Sequence, residues 1–120
     1  MYNELVAMHE LSIIASIVEI AEAEVQKASA QRVDSIELEI GELAGIEFSA
    51  LDFAWEVGVS HSVLEKAERH IHRIGGRARC NECDTAFDMQ VLYDACPSCG
   101  SYFSEILKGK ELSVKALTVS

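Results

Sequence analysis

Cys80-Asn81-Glu82-Cys83 and Cys96-Pro97-Ser98-Cys99 contain every cysteine of this 120-residue chain, and twelve residues separate the two pairs. A Cys-x-x-Cys turn lets two thiolates converge on one ion. Two such turns, joined by a short hairpin, supply the four soft ligands of a tetrahedron. The spacing therefore predicts a closed tetrathiolate centre, which organises the chain and does not catalyse. Metal binding on the order of 10–16 kcal/mol can fold a segment too small for its own core. Two disulfides would use the same residues. However, the start Met1-Tyr2-Asn3-Glu4 lacks the basic n-region and continuous apolar stretch of a signal peptide. The cytoplasmic setting this implies disfavours disulfides. A redox Cys-x-x-Cys needs one pair, not two. Iron in a rubredoxin-like centre stays open, because Cys96 to Gly100 suits either metal and both accept tetrahedral sulfur geometry. Zinc is preferred, since closed tetrathiolate sites are usually zinc.

Around this centre the composition sets bounds. The hydrophobic fraction of 49% is enough for a core. No apolar run approaches the ~20 residues of a membrane span, so none is expected. Twenty acidic residues face ten basic ones, a formal charge of −10. That balance opposes nucleic-acid binding, which needs a basic face to neutralise phosphates. Arg77 and Arg79 beside the first knuckle balance the thiolate charge instead. An acidic surface suits solubility, cation attraction and basic protein partners.

Upstream, Leu11, Ile14, Ala15, Ile17, Val18, Ala21 and Val25 recur at helical spacing and predict an amphipathic helix from about Leu11 to Lys27. Ile36, Leu38 and Ile40 alternate with acids in a half-buried strand. Gly41 and Gly45 bracket a tight connection before a second helix, Ser49 to Val59, whose Trp55 reads as core. Glu68 to Ile74 is a strand ended by Gly75-Gly76, and Glu111 to Val119 is a last strand with Leu112, Val114 and Ala116 on one face. The last strand is not stable alone and should return to the first sheet. The expected fold is α+β: a small three-stranded sheet covered by two helices, with an inserted zinc-ribbon-like unit built on the four cysteines. Residues 8–76 and 105–120 form the helix-sheet domain, 77–104 the zinc-binding domain, and 1–7 an N-terminal extension.

Among the histidines, His61 carries no signal. His70 and His72 share a strand face, but no third ligand is placed by sequence, so they read as partly exposed strand residues. His9 stands out by its company. Met8-His9-Glu10-Leu11-Ser12, then Ile40-Gly41-Glu42-Leu43-Ala44-Gly45, then the two cysteine knuckles closely resemble the HypA/HybF family of hydrogenase maturation proteins, which are nickel metallochaperones. The resemblance runs from Met8 to the final strand.

This resemblance implies a structural zinc at Cys80, Cys83, Cys96 and Cys99. It also implies a nickel site, for an ion to be transferred, around His9, helped by Glu10, with Met8 and Glu47 as further candidates. Imidazole suits Ni(II), and planar nitrogen coordination is a preferred nickel arrangement. Implied partners are the GTPase HypB, a hydrogenase large-subunit precursor and, in some organisms, urease maturation proteins. The chain departs from the family in carrying Met1 to Ala7 ahead of Met8. With that extension the Met8 nitrogen is an amide, and Asn3 could cap a helix prolonged backward. The other departure is Arg69, at a strand position where apolar residues are usual.

The expected function is thus nickel delivery for [NiFe] hydrogenase maturation. A zinc-ribbon protein-interaction adaptor without a nickel role is the alternative, and rubredoxin-like electron transfer the third. No nucleophile-base pair, phosphate loop or paired carboxylates point to an enzyme. Monomer and homodimer both remain open, with strand exchange conceivable at Gly75-Gly76 and Gly109.

Overall fold

The computed structural model describes the backbone from Glu4 and the side chains from His9 to Ser120; Asn3, the expected cap, lies outside the described residues. The first helix, α1, spans Glu4–Lys27, so helical backbone runs through Met8 and into the extension. It is followed by β1 (Val33–Gly41), α2 (Phe48–Gly58), β2 (Glu68–Ile74), β3 (Arg77–Cys80), β4 (Ala86–Asp88), β5 (Ser104–Lys108) and β6 (Leu112–Val119). One sheet has the order β2-β1-β6, so the last strand returns beside the first. A second three-stranded sheet, β4-β3-β5, belongs to the metal segment. The fold is α+β as expected, with strands β3 to β5 in place of a bare hairpin.

Two compact units divide the chain. The first comprises Met1–Leu38, Ile46–His70 and Val114–Ser120. Its buried stripe on α1 is Glu10, Ile14, Ile17, Ala21 and Val25, at steps of four and three residues. That period places all five on one helix face. Helix α2 buries Ala50, Leu51, Ala54 and Trp55, and α1 packs on α2. The pair comes close at Gly58, where a Cβ would stand 2.5 Å from Ile14 Cγ2. A larger residue cannot enter there unless Ile14 moves.

The second unit comprises Glu39–Gly45 and Ile71–Ser113. Strand β3 pairs antiparallel with β4 (Ala78 opposite Phe87) and with β5 (Cys80 opposite Ser104). Its core joins Ala78, Cys80, Phe87, Met89 and Cys96 to Leu43, with Ile106 against them. Leu43 therefore belongs to the core of the cysteine unit, although it lies far upstream in sequence. The segment carrying it is stitched by backbone: Gly41 N–H donates to Glu111 O at 2.7 Å, Glu42 N–H to Ile74 O at 2.8 Å and Leu43 N–H to Gly109 O at 2.7 Å. Gly41 has to be glycine for this approach, because a Cβ there would fall 1.9 Å from Gly109 O.

The burial along one strand differs from expectation. On β6 the half-buried residues are Val114, Leu117 and Val119, while Leu112 and Ala116 are exposed. Among the described residues no helix is long and apolar enough to cross a membrane.

Candidate metal centres

The four cysteines converge. Their sulfurs all lie within 4.8 Å of one another. Cys80 Sγ is 3.5 Å from Cys99 Sγ, and Cys83 Sγ is 3.6 Å from Cys96 Sγ. A zinc tetrahedron with Zn–S of about 2.3 Å has sulfur edges of roughly 3.8 Å, so the cage is of the right size. Disulfides are absent; all four are free thiols. Cys80 ends β3, and the turn after it brings Glu82 N–H to within 3.4 Å of Cys80 Sγ. Cys80 and Cys96 are buried, Cys83 and Cys99 exposed.

Protonation separates the exposed pair. Hydrogen bonds from the Thr85 side chain and then its backbone, with help from Cys96 and Cys99, lower the Cys83 thiol to about 6. The Ser101 backbone pulls Cys99 down, but Cys80, desolvation, Cys83 and Cys96 together push it up to about 12. Crowded thiols cannot all ionise without a compensating charge. A dication supplies one, and thiolate is the form it binds. The donor set therefore fits zinc in charge as well as in size.

In the second turn of α1 the two expected nickel residues part company. His9 is exposed and Glu10 is buried, at 1% exposure. Successive helix residues diverge by about 100°, so they cannot both face one side. Glu10 occupies the core stripe, one turn before Ile14. Its Oε2 accepts the Glu47 N–H at 3.2 Å, and its Oε1 is buried with no partner among the described residues. Glu47 is the N-cap of α2. Its carboxylate accepts from Ser49 N–H at 3.2 Å, Ala50 N–H at 2.8 Å and Ser49 Oγ at 2.5 Å. These bonds, led by the Ser49 hydroxyl, hold its pKa below the usual carboxylate value. Glu10 and Glu47 are thus linked through the Glu47 backbone N–H, and His9, Glu10 and Glu47 do not form a convergent set of three ligands among the described residues. Among the described residues the four cysteines are the one set of three or more potential ligands that does converge. The Met8 side chain lies outside the described residues.

A family model described as "Hydrogenase/urease nickel incorporation, metallochaperone, hypA" matches residues 8–119. This chain belongs to the HypA family. The hydrogenase maturation factor HypA of Parabacteroides distasonis is 47% identical over 112 residues, covering 93% of this chain and 97% of that protein. Its counterpart in Geobacter metallireducens is 40% identical over 93% of this chain and 99% of its own length. The solution structure of the Ni metallochaperone HypA from Helicobacter pylori superposes with a TM-score of 0.64 at 25% identity, covering 92% of this chain and 96% of that one.

Within this HypA family member, several structural parts were not singled out in the sequence. Thr85 and Ser101 each follow a knuckle cysteine by two residues, a spacing that could have flagged them as thiolate hydrogen-bond partners. Leu43 belongs to the segment 40–45 quoted above, but its place in the core of the cysteine unit is made through tertiary packing and had no local signal. Arg69 acquires a reason: its guanidinium lies over the Trp55 ring at 5.2 Å, and Nη2 bonds Asp52 at 2.6 Å. A cation on an indole face can occupy a position otherwise apolar. His70 Nε2 lies 3.2 Å from Glu68 Oε1, and neither His70 nor His72 joins a convergent ligand set among the described residues.

Proposed function

We propose that this chain carries Ni(II) for the maturation of a [NiFe] hydrogenase, with zinc held structurally by Cys80, Cys83, Cys96 and Cys99. The family match over residues 8–119 carries this reading. It weighs against the adaptor alternative, which has no place for nickel. The chain binds and releases an ion and needs no catalytic group. A cytoplasmic setting agrees with free thiols. The hydrogenase large-subunit precursor would be the client, HypB the GTPase partner, and urease maturation proteins further partners in organisms that have them.

His9 is the ligand we assign first, because its imidazole is exposed in the second turn of α1. Glu10 and Glu47 contribute differently. Glu10 keeps one buried oxygen without a partner among the described residues and uses the other to tie α1 to the segment before α2. Glu47 already caps α2 with its carboxylate, so a metal would compete with that cap. Met8 offers its nitrogen. In a chain that starts at Met8 this is an amine, with pKa ~8. Behind Met1 to Ala7 it is a helical amide, and planar nitrogen ligation would have to break helix hydrogen bonds.

The test is calorimetry with Ni(II) on His9→Ala. Tight nickel binding should be lost while zinc content and the far-ultraviolet spectrum stay unchanged. Nickel affinity equal to that of the parent would remove His9 from the site and turn attention to His70 and His72.

A further inference from the structure

The second unit holds a feature that neither metal uses. Between β5 and the loop after β4 lies a cleft of about 310 Å³. Its deepest lining is apolar, from buried Met89 and half-buried Ile106. Tyr93, Tyr102 and Phe103 border it at 78%, 67% and 70% exposure. Three large aromatic rings so exposed on one small unit are unusual, because each carries a hydrophobic penalty in water that a partner would relieve.

The loop is built to present them. Tyr93 has φ +68°, the left-handed region, which is costly for an aromatic residue. The Asp94 carboxylate holds this turn, accepting the Gln90 N–H at 2.9 Å and the Val91 N–H at 3.2 Å. The backbone that presents the ring is therefore held in a defined turn. Beside it, β5 has β3 as its one neighbour among the described strands, so its outer edge is open for pairing. Lys110 is the one charged side chain among the lining residues, in a chain of net charge −10.

We propose that this cleft docks an extended segment of a partner polypeptide, which adds as a strand along β5, seats a large apolar side chain over Met89 and Ile106, and places a carboxylate at Lys110. Strand addition supplies main-chain hydrogen bonds, and the cleft selects the side chain. The lone cation sets the charge of the occupant: an acidic residue is attracted here and repelled by most of the remaining surface. A second copy of this acidic chain is the less suitable occupant, since bringing two copies together sets like net charges against each other.

Short linear peptides displayed as a random library test this, panned on the zinc-loaded full chain against the Tyr93→Ser/Phe103→Ser double variant. Recovered sequences should share a large apolar residue near an aspartate or glutamate. Their binding should shift the amide resonances of residues 92–93 and 102–106. It should also fall by about tenfold or more in Phe103→Ser, the usual loss at an aromatic anchor. Lys110→Glu, an exposed change, should weaken binding, and a peptide whose acid is replaced by lysine should recover it. Zinc content and nickel affinity should match the parent in every variant, which separates this contact from the carrier function. Failure to enrich peptides over the double variant would overturn the proposal. So would a lack of response to the charge swap, or a dimer in light scattering that dissociates on Phe103→Ser.

Discussion

Glu10 shows how one turn of helix divides two neighbouring residues between different tasks. His9 faces solvent and remains available to an ion. Glu10, the next residue, points into the core stripe and binds the backbone of Glu47. Glu47 in turn spends its carboxylate on the first turn of α2. Its pKa is depressed below 4.5, first by the Ser49 hydroxyl and then by the Ala50 and Ser49 amides. The sign follows from linkage: the unfolded chain takes up the proton first, so the cap contributes fully above about pH 4.5 and is lost as pH falls through the lower folded value. The protection factors of the Ser49 and Ala50 amides, taken against the intrinsic exchange rate at each pH, should fall below that range before those in the centre of α2 do. Glu47→Gln should flatten this local acid response. An unaltered response in the variant would show that another group controls it.

At the scale of elements, the close approach of the two helices rests on Gly58. A Cβ there meets Ile14 Cγ2 at 2.5 Å and Ile14 Cβ at 3.1 Å, and Ile14 is fully buried. Gly58→Ala gains helix propensity of up to ~1 kcal/mol but must displace Ile14. Gly58→Val adds more volume and gains less propensity. Overpacking of this kind typically costs about 1–3 kcal/mol. Urea denaturation should therefore give midpoints in the order parent, Gly58→Ala, Gly58→Val, from highest to lowest. Pairing Gly58→Val with Ile14→Ala should recover part of the loss, because the cavity takes the new methyls. No recovery in the double variant would place the strain elsewhere.

For the whole molecule, each of the two units is held together by different means. The first packs α1 on α2, and its buried residues include the α1 stripe together with Val33, Ile36 and Leu38 of β1. The second has a six-residue core, and two of those residues, Cys80 and Cys96, are themselves proposed metal ligands. Removing the ion removes the charge that lets four crowded thiolates coexist. Cys96→Ala should release zinc and speed amide exchange throughout residues 77–108. The α1, β1 and α2 amides of the first unit should stay protected. Slow exchange across residues 77–108 in a zinc-free Cys96→Ala protein would mean that apolar packing, including Leu43, suffices without the ion.

Much of this was legible in local sequence. Helix and strand periods located α1, β1, α2, β2 and β6 to within a few residues, except that α1 begins earlier, at Glu4. Apolar spacing reports directly which face is buried. Likewise the cysteine spacing foretold convergence, because a Cys-x-x-Cys turn carries its geometry within four residues. Contacts between distant segments were not legible. Leu43 in the ribbon core, the backbone stitching at Gly41, the third ribbon strand β5 and the ring of Trp55 beneath Arg69 all join residues far apart in sequence. No local period encodes them. Met8-His9-Glu10 reads as one motif along the chain, but the rotation of about 100° per helical residue leaves His9 exposed and Glu10 buried. The sequence by itself determined which residues could be ligands. The tertiary structure decided which of them face each other, since that depends on helix rotation, burial and the hydrogen bonds already made.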